Sequence, residues 1–289
     1  MTGGTRADRD WRSYDTVAEA YARVSTACHR QLACDLVDAV APPFGARVLD
    51  LGAGSGIAAA AALDATGADG HVVALDPSAL LVAHARAHHV DAVAGAAPGL
   101  PFRGRSFDVA VASLVIGHFD AYEPALADLV RVLRPGGRLG LATWGRLDDA
   151  PAIDDADERA AHETWDAVVG GHVGLGEVDD AAAEALPWEE WFGDPARIRL
   201  ALAEVGLRVV DMFGRAYRYP LGHADWLQRV ATGARARFVR ATLGPERFTA
   251  VEAEVLAALR DRAIPDPIRC ADEAIVTVAA VPTRGVVTR

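Results

Sequence analysis

Cysteine is scarce in this chain. Cys28, Cys34 and Cys270 are the whole supply among 289 residues. Their odd number and wide spacing exclude a disulfide framework and a cysteine-based metal site, and they read as reduced thiols in a cytoplasm. Positive charge is also short. A formal net charge of −11 argues against general affinity for nucleic acid, whose phosphates need a basic face. A small anionic ligand bound locally stays allowed. No run of about 20 apolar residues is free of charge, so no membrane span is expected. The stretch from Met1 to Asp10 has no apolar core, so no signal peptide is expected either.

What is present is a soluble, globular composition, with 51% hydrophobic and 24% charged residues. The length suits one large or two small domains with ample core. The organising stretch is Arg47-Val-Leu-Asp-Leu-Gly-Ala-Gly-Ser-Gly56. Its apolar run reads as a buried strand. Glycines at 52, 54 and 56 follow, then an alanine-rich segment that reads as a helix. Strand, glycine turn and helix is the plan of a nucleotide-binding crossover, where glycine lets a ligand approach the main chain.

The pattern then repeats. Strands are expected at 71–75, 92–94, 108–112 and 138–143, with helices at 79–88 and 122–133. In the first helix Leu80, Leu81 and His84 share a face; in the second, Leu126, Leu129, Val130 and Leu133 do. Before the glycine stretch, residues 15–40 read as two helices parted near Ser25-Thr26. Beyond it, strands at 207–213 and 273–281 bracket two helices split at Gly244-Pro245. Such alternation predicts a doubly wound, mostly parallel α/β sheet of seven strands, with a helical lid. Ligand belongs at the carboxyl ends of the strands. The glycine loop, Asp76, Gly95 to Ala97 and Ser113 to His118 all fall there.

The glycine loop lacks the sixth-place glycine of a dinucleotide fingerprint, where Ile57 stands. No lysine follows it, as a phosphate loop requires. Asp76, closing the second strand, offers two acceptor oxygens for a ribose. A nucleoside without phosphates fits best.

These residues resemble the class I S-adenosylmethionine-dependent methyltransferases. Val48-Leu-Asp-Leu-Gly-Ala-Gly-Ser-Gly56 is similar to motif I and Val73-Ala-Leu-Asp-Pro-Ser78 to motif II. Leu100-Pro-Phe102, Ser106-Phe-Asp-Val-Ala110 and Arg131-Val-Leu-Arg-Pro-Gly-Gly137 resemble later signatures. Tyr14-Asp15…Ala18…Tyr21 is similar to the N-terminal helix of the small-molecule branch, which includes ubiquinone/menaquinone methyltransferases and actinobacterial natural-product enzymes. The resemblance implies S-adenosyl-L-methionine as cofactor. It places Gly52, Ala53 and Gly54 at the methionine end, with Asp50 behind them. Asp76 and Pro77 meet the ribose, Ala96 and Ala97 the adenine, and Ser113 and Leu114 pass beneath the sulfonium. Many relatives carry Asp at the position of Ala96, and its loss removes a hydrogen bond worth about 0.5–1.5 kcal/mol. Tyr14 and Tyr21 either close over the cofactor or form a packing face.

Methyl transfer from a sulfonium needs alignment and desolvation, and a base only when the acceptor must lose a proton. His118 is the candidate base, because histidine ordinarily titrates near pH 6.5; the alternative is a loop-packing role. His162, His172 and His223 read as surface or wall residues. Trp144, Trp165, Trp188, Trp191, Phe192 and Trp226 either line an apolar site or form a small core. The acids from Asp148 to Glu158 read as a solvated face, and no metal site is expected.

The organisation expected is an N-terminal helical lid over 1–44, a cofactor-binding core over 45–143, an inserted segment over 144–194, and a C-terminal part over 195–289 with a helical insertion at 218–272. The expected function is methylation of a small, largely apolar or aromatic molecule, at oxygen, in secondary metabolism. The alternatives are C- or N-methylation, or a non-methylating cyclisation, decarboxylation or hydroxylation on the same fold. Small-molecule substrate, no nucleic acid, no membrane and a permitted homodimer complete the expectation.

Overall fold

A computed structural model describes residues 11–147 and 156–283. The chain runs α1 (Ala18–Val40), β1 (Arg47–Leu51), α2 (Ile57–Thr66), β2 (His71–Asp76), α3 (Ala79–Arg86), β3 (Asp91–Ala94), β4 (Phe107–Ser113), α4 (Tyr122–Val132) and β5 (Leu133–Trp144). It continues through α5 (Ala156–Val169), α6 (Leu175–Ala185), α7 (Pro195–Glu204), β6 (Arg208–Leu221), α8 (His223–Thr232), α9 (Ala234–Leu243), α10 (Pro245–Asp261) and β7 (Ile268–Ala280). The seven strands form one sheet in the order β3-β2-β1-β4-β5-β7-β6. β1 pairs in parallel with β2 and β4, β2 with β3, and β4 with β5, while β7 runs antiparallel to β5. The order reverses between β1 and β4, which puts the topological switch point beside the glycine loop.

Two compact units divide the chain. The first takes the described residues of 29–150, 187–215 and 273–289; the second takes those of 11–28, 156–186 and 216–272. Each has a core of its own. In the first, Leu49, Leu51 and Leu75 from the sheet pack with Leu126 and Leu129 from α4 and with Ile198 and Leu202 from α7. β1 and β2 are buried on both faces, which is why they read as apolar runs without alternation. In the second, Trp165, Trp226, Phe248 and Val255 hold α5, α8 and α10 together.

Several local expectations need correction. α1 is one helix from Ala18 to Val40, not two; Ser25 and Thr26 cost little helix propensity, and no Gly or Pro stands between them to stop it. The helices after β6 number three, because Gly233 ends α8 as well as starting α9. In α3 the buried face is Leu81, Val82 and Ala85, and Leu80 is exposed. The Ser78 Oγ accepts from the Leu81 amide and fixes where the helix starts, and so which side faces inward. In α4, Val132 is buried and Val130 only half so. β6 and β7 both run longer than expected.

Candidate active site

The first unit collects most of the expected site along one sheet edge. After β1, Gly52, Gly54 and Gly56 take φ values of +66°, +53° and +88°. That left-handed region favours glycine. A Cβ on Gly52 would sit 2.1 Å from Val115 Cγ2, and one on Gly56 would sit 2.8 Å from the Cα of Ala85. The loop is therefore pressed both against the residues after β4 and against α3. The Gly52 and Ala53 amides donate to the Leu75 carbonyl at 2.8 and 3.1 Å. The Gly54 amide donates to Asp76 Oδ2 and the Ser78 amide to Asp76 Oδ1, both at 2.9 Å. One backbone donor on each oxygen pins the Asp76 carboxylate. Each oxygen can accept a further bond, which suits a vicinal diol.

Asp50 lies beneath the loop and is fully buried. Neither of its carboxylate oxygens has a hydrogen-bond partner among the described residues. Burial pushes its carboxyl up to about 7; the Ala59 amide opposes this, and the charge of Asp76 adds to it. A buried carboxylate without a partner is expensive unless something cationic comes to meet it. The methionine end of S-adenosylmethionine carries an ammonium, so this orphaned group fits the cofactor the resemblance implies.

After β3, Ala96 is exposed and Ala97 buried, and the loop that follows is clamped from α4. Asp128 Oδ2 accepts from the Gly99 and Leu100 amides at 2.6 and 2.7 Å. Arg131 bonds the other oxygen at 2.6 Å and donates to the Phe102 and Leu100 carbonyls at 2.7 and 3.0 Å. Burial works against the charge on Asp128, but these donors outweigh it and hold its carboxyl below the usual range. The sequence reading missed this clamp. The available signal was the i, i+3 acid–base pair on the helix after Leu100-Pro-Phe102.

β4 ends at Ser113, and Leu114 turns the chain with φ +56°, a strained value for leucine, its amide held by the Ala142 carbonyl at 2.9 Å. A short 3₁₀ turn, Ile116–His118, follows. Gly117 is buried against Glu189, where a Cβ would come within 3.3 Å of Glu189 Cβ. Asp50, Gly52, Ala53, Gly54, Asp76, Pro77, Ala96, Ala97, Ser113, Leu114 and His118 thus stand at consecutive strand ends of one unit.

Tyr14 and Tyr21 belong to the second unit, where their rings meet edge to face at 5.1 Å. The Arg237 guanidinium lies 4.0 Å over Tyr14 and donates to the Arg12 carbonyl. His162 packs against Trp226 and stands 3.9 Å from Glu158. His172 bonds Glu254 at 2.9 Å. His223 Nε2 carries its proton, since both its partners are carbonyls, Ile264 O and Pro265 O at 3.1 Å.

Glu158 corrects the expectation of a solvated face at its position. It is buried and accepts from Arg229 at 2.7 Å and from the Ala271 amide at 2.9 Å. Arg229 also holds Asp272 at 2.5 Å, and Asp272 accepts from the Tyr219 hydroxyl. Asp148, Asp149, Asp154 and Asp155 lie outside the described residues. Among the described residues no group of His, Cys, Asp and Glu is arranged to hold a metal. No helix among them is long and apolar enough to cross a membrane. Of the aromatic set, Trp165, Trp226 and Phe192 are core residues. Trp188 and Trp191 are half-buried around Tyr122, at 4.8 and 5.1 Å.

Comparison with known proteins agrees with this geometry. Residues 49–141 match the family model described as a methyltransferase domain. A demethylmenaquinone methyltransferase of Renibacterium salmoninarum is 39% identical over 140 residues, covering 48% of this chain and 56% of that protein. A ubiquinone/menaquinone biosynthesis C-methyltransferase of Methylobacterium nodulans is 34% identical over 154 residues, covering 50% and 59%. The chain thus spans little more than half the length of these relatives. Among solved structures, a phosphoethanolamine N-methyltransferase of Haemonchus contortus in complex with S-adenosylhomocysteine has a TM-score of 0.55, covering 97% of this chain and 61% of that one at 16% identity. The [4+2]-cyclase SpnF has a TM-score of 0.56 at 17% identity, covering 98% of each. These two show likeness of fold. The chain carries a class I S-adenosylmethionine-dependent methyltransferase domain. S-adenosylmethionine is the cofactor that domain serves.

Proposed function

We propose that the chain is a methyltransferase acting on a small, largely apolar or aromatic molecule, and that the acceptor atom is a hydroxyl oxygen. One observation carries this reading: the loop bearing His118 is packed directly on the glycine loop, through Val115 against Gly52. That contact supports the reading that the loop carrying His118 borders the place proposed for the methionine end of the cofactor. When bound, the cofactor supplies a methyl group on a good leaving group. The chain's own work is then to align, to exclude water and to receive the acceptor's proton.

In this reading Gly52, Ala53 and Gly54 admit the cofactor to the main chain and Asp50 meets its ammonium. Asp76 and Pro77 hold the ribose, Ala96 and Ala97 border the adenine, and Ser113 and Leu114 shape the floor beneath the reacting carbon. Tyr14 and Tyr21 pack on each other, with Arg237 over Tyr14. The three free thiols support a cytoplasmic setting. Natural-product biosynthesis is the proposed role, and a homodimer is compatible with it.

The test is a panel of hydroxylated aromatics incubated with S-adenosylmethionine, with products identified by mass spectrometry and NMR. Methyl ethers from the native chain, reduced about 100-fold or more in His118→Ala, bear the reading out. Methylation at carbon, as the names of the quinone relatives describe for those proteins, with turnover unaffected by His118→Ala, overturns it. Cofactor binding with product formed and no S-adenosylhomocysteine released points instead to a non-methylating reaction.

A further inference from the structure

The sheet order sets three strand ends side by side, those of β1, β2 and β3. The glycine loop leaves β1 and Asp76 closes β2. Ala94, the register partner of Asp76, closes β3. Adjacent strands stand about 4.8 Å apart. A nucleoside with its amino-acid tail over the glycine loop and its ribose on Asp76 therefore carries its base one strand further, onto residues 95–97.

That strand end has little with which to recognise a base. Gly95-Ala-Ala-Pro-Gly99 contains no polar side chain. The Gly95 amide donates to the Asp76 carbonyl at 3.0 Å, and Pro98 has no amide hydrogen. The Gly99 and Leu100 amides are both taken by Asp128 Oδ2. The acids that border the loop are committed as well. Asp76 accepts the Gly54 and Ser78 amides, one on each oxygen, and the second oxygen of Asp128 accepts from Arg131. Asp91 stands at the other end of β3, 3.6 Å from His71. What is left for a base is the main chain of Ala96 and Ala97. The rim is also open. Ala96 and Pro98 are exposed, a Cβ on Gly99 would meet nothing within 4 Å, and Leu80 is exposed in the first turn of α3. Only Ala97 of this loop is buried, in the core with Leu49, Leu75 and Leu100.

We propose that this site recognises the ribose and amino-acid tail of its nucleoside but not the exocyclic amine of the base, so that it accepts adenosyl ligands substituted at N6. This deepens the cofactor reading above and rests on it. A site rejects an altered ligand strongly when the change leaves one of its own buried polar groups unpaired. No side chain of residues 95–99 would be left so. A main-chain carbonyl can take one amine hydrogen, and a singly substituted amine keeps that hydrogen. The substituent then points past Ala96 into solvent.

Calorimetry on the native chain compares S-adenosylhomocysteine, its N6-benzyl analogue and its 6-deamino analogue, which lacks the amine. The expected dissociation constants lie within about 10-fold of one another, the most that one ordinary hydrogen bond accounts for. Weakening of either analogue beyond that overturns the proposal. Ala96→Asp sets a carboxylate acceptor at an exposed position. It should raise the preference for S-adenosylhomocysteine over the 6-deamino analogue by about 2- to 10-fold, with the melting temperature of the free chain unchanged. An unchanged preference puts the base elsewhere and overturns the proposal. If S-adenosylhomocysteine itself does not bind, the cofactor reading and the proposal fall together; if it binds and the analogues do not, the proposal alone falls.

Discussion

Asp50 offers the sharpest quantitative consequence of this structure. Its carboxyl is fully buried, lacks a partner and is raised from the ordinary 3.8 to about 7. In the unfolded chain the same group ionises near its ordinary value. Between about pH 4 and pH 7 the folded state therefore holds a proton that the unfolded state has lost. Stability attributable to Asp50 falls as pH rises through that window and is level above it. The gap corresponds to about 4 kcal/mol, at roughly 1.36 kcal/mol per pKa unit. An asparagine cannot ionise but still buries an amide, so Asp50→Asn should recover only part of this, about 1–3 kcal/mol above pH 7. Urea unfolding of the ligand-free chain at pH 5 and pH 8 measures it as the difference between the two proteins. The same physics reaches the cofactor. If an ammonium meets Asp50 on binding, the carboxyl ionises, and about half a proton should leave the protein at pH 7. Titration with S-adenosylhomocysteine in two buffers of unlike ionisation enthalpy detects that release, and Asp50→Asn should lack it. Identical pH dependence in the two proteins, or identical proton release, would refute the assignment of Asp50 as a poised, uncompensated acid.

Three further outcomes follow from contacts elsewhere. Gly52→Ala combines a left-handed φ with a 2.1 Å clash on Val115 and should cost about 2–4 kcal/mol by thermal unfolding, with S-adenosylhomocysteine binding lost. Arg131→Ala releases the carbonyls of Phe102 and Leu100 and should cost about 1–3 kcal/mol, with faster hydrogen exchange at the Gly99 and Leu100 amides. Glu158→Gln leaves Arg229 with Asp272 as its one acid and should cost about 3 kcal/mol, read in the near-ultraviolet signal of Trp165 and Trp226.

The sheet and the glycine edge were legible because backbone rules set them. β1 and β2 announce themselves as apolar runs, since both faces are covered, and the three glycines sit where φ is positive. Asp76 could be placed at a strand end by counting alone. Side-chain partnerships were not legible in this way. Glu158 sits in an acidic run that looks solvated, and only the return of α8 and β7, some 70 and 110 residues later, supplies Arg229 and the Ala271 amide that make it a buried anchor. Read locally, Ser25-Thr26 looks weak enough to part α1 in two. Helix propensity at two positions is a fraction of a kcal/mol each, too little to end a helix whose flanking turns bury Val24, Cys28 and Leu32.

The same division explains why cofactor and acceptor differ in how far they can be inferred. The edge proposed for the cofactor is made of main-chain amides, a pinned carboxylate and the ends of consecutive strands, all of which follow from topology. Any acceptor site would depend on side chains whose neighbours come from distant segments. Trp188 and Trp191 could equally have been wall or core from their spacing; in the fold they ring Tyr122, and that packing is what carries the Glu189 backbone onto Gly117. A six-residue segment with no motif is thereby set against the turn that ends in His118, a contact that only the folded chain reveals.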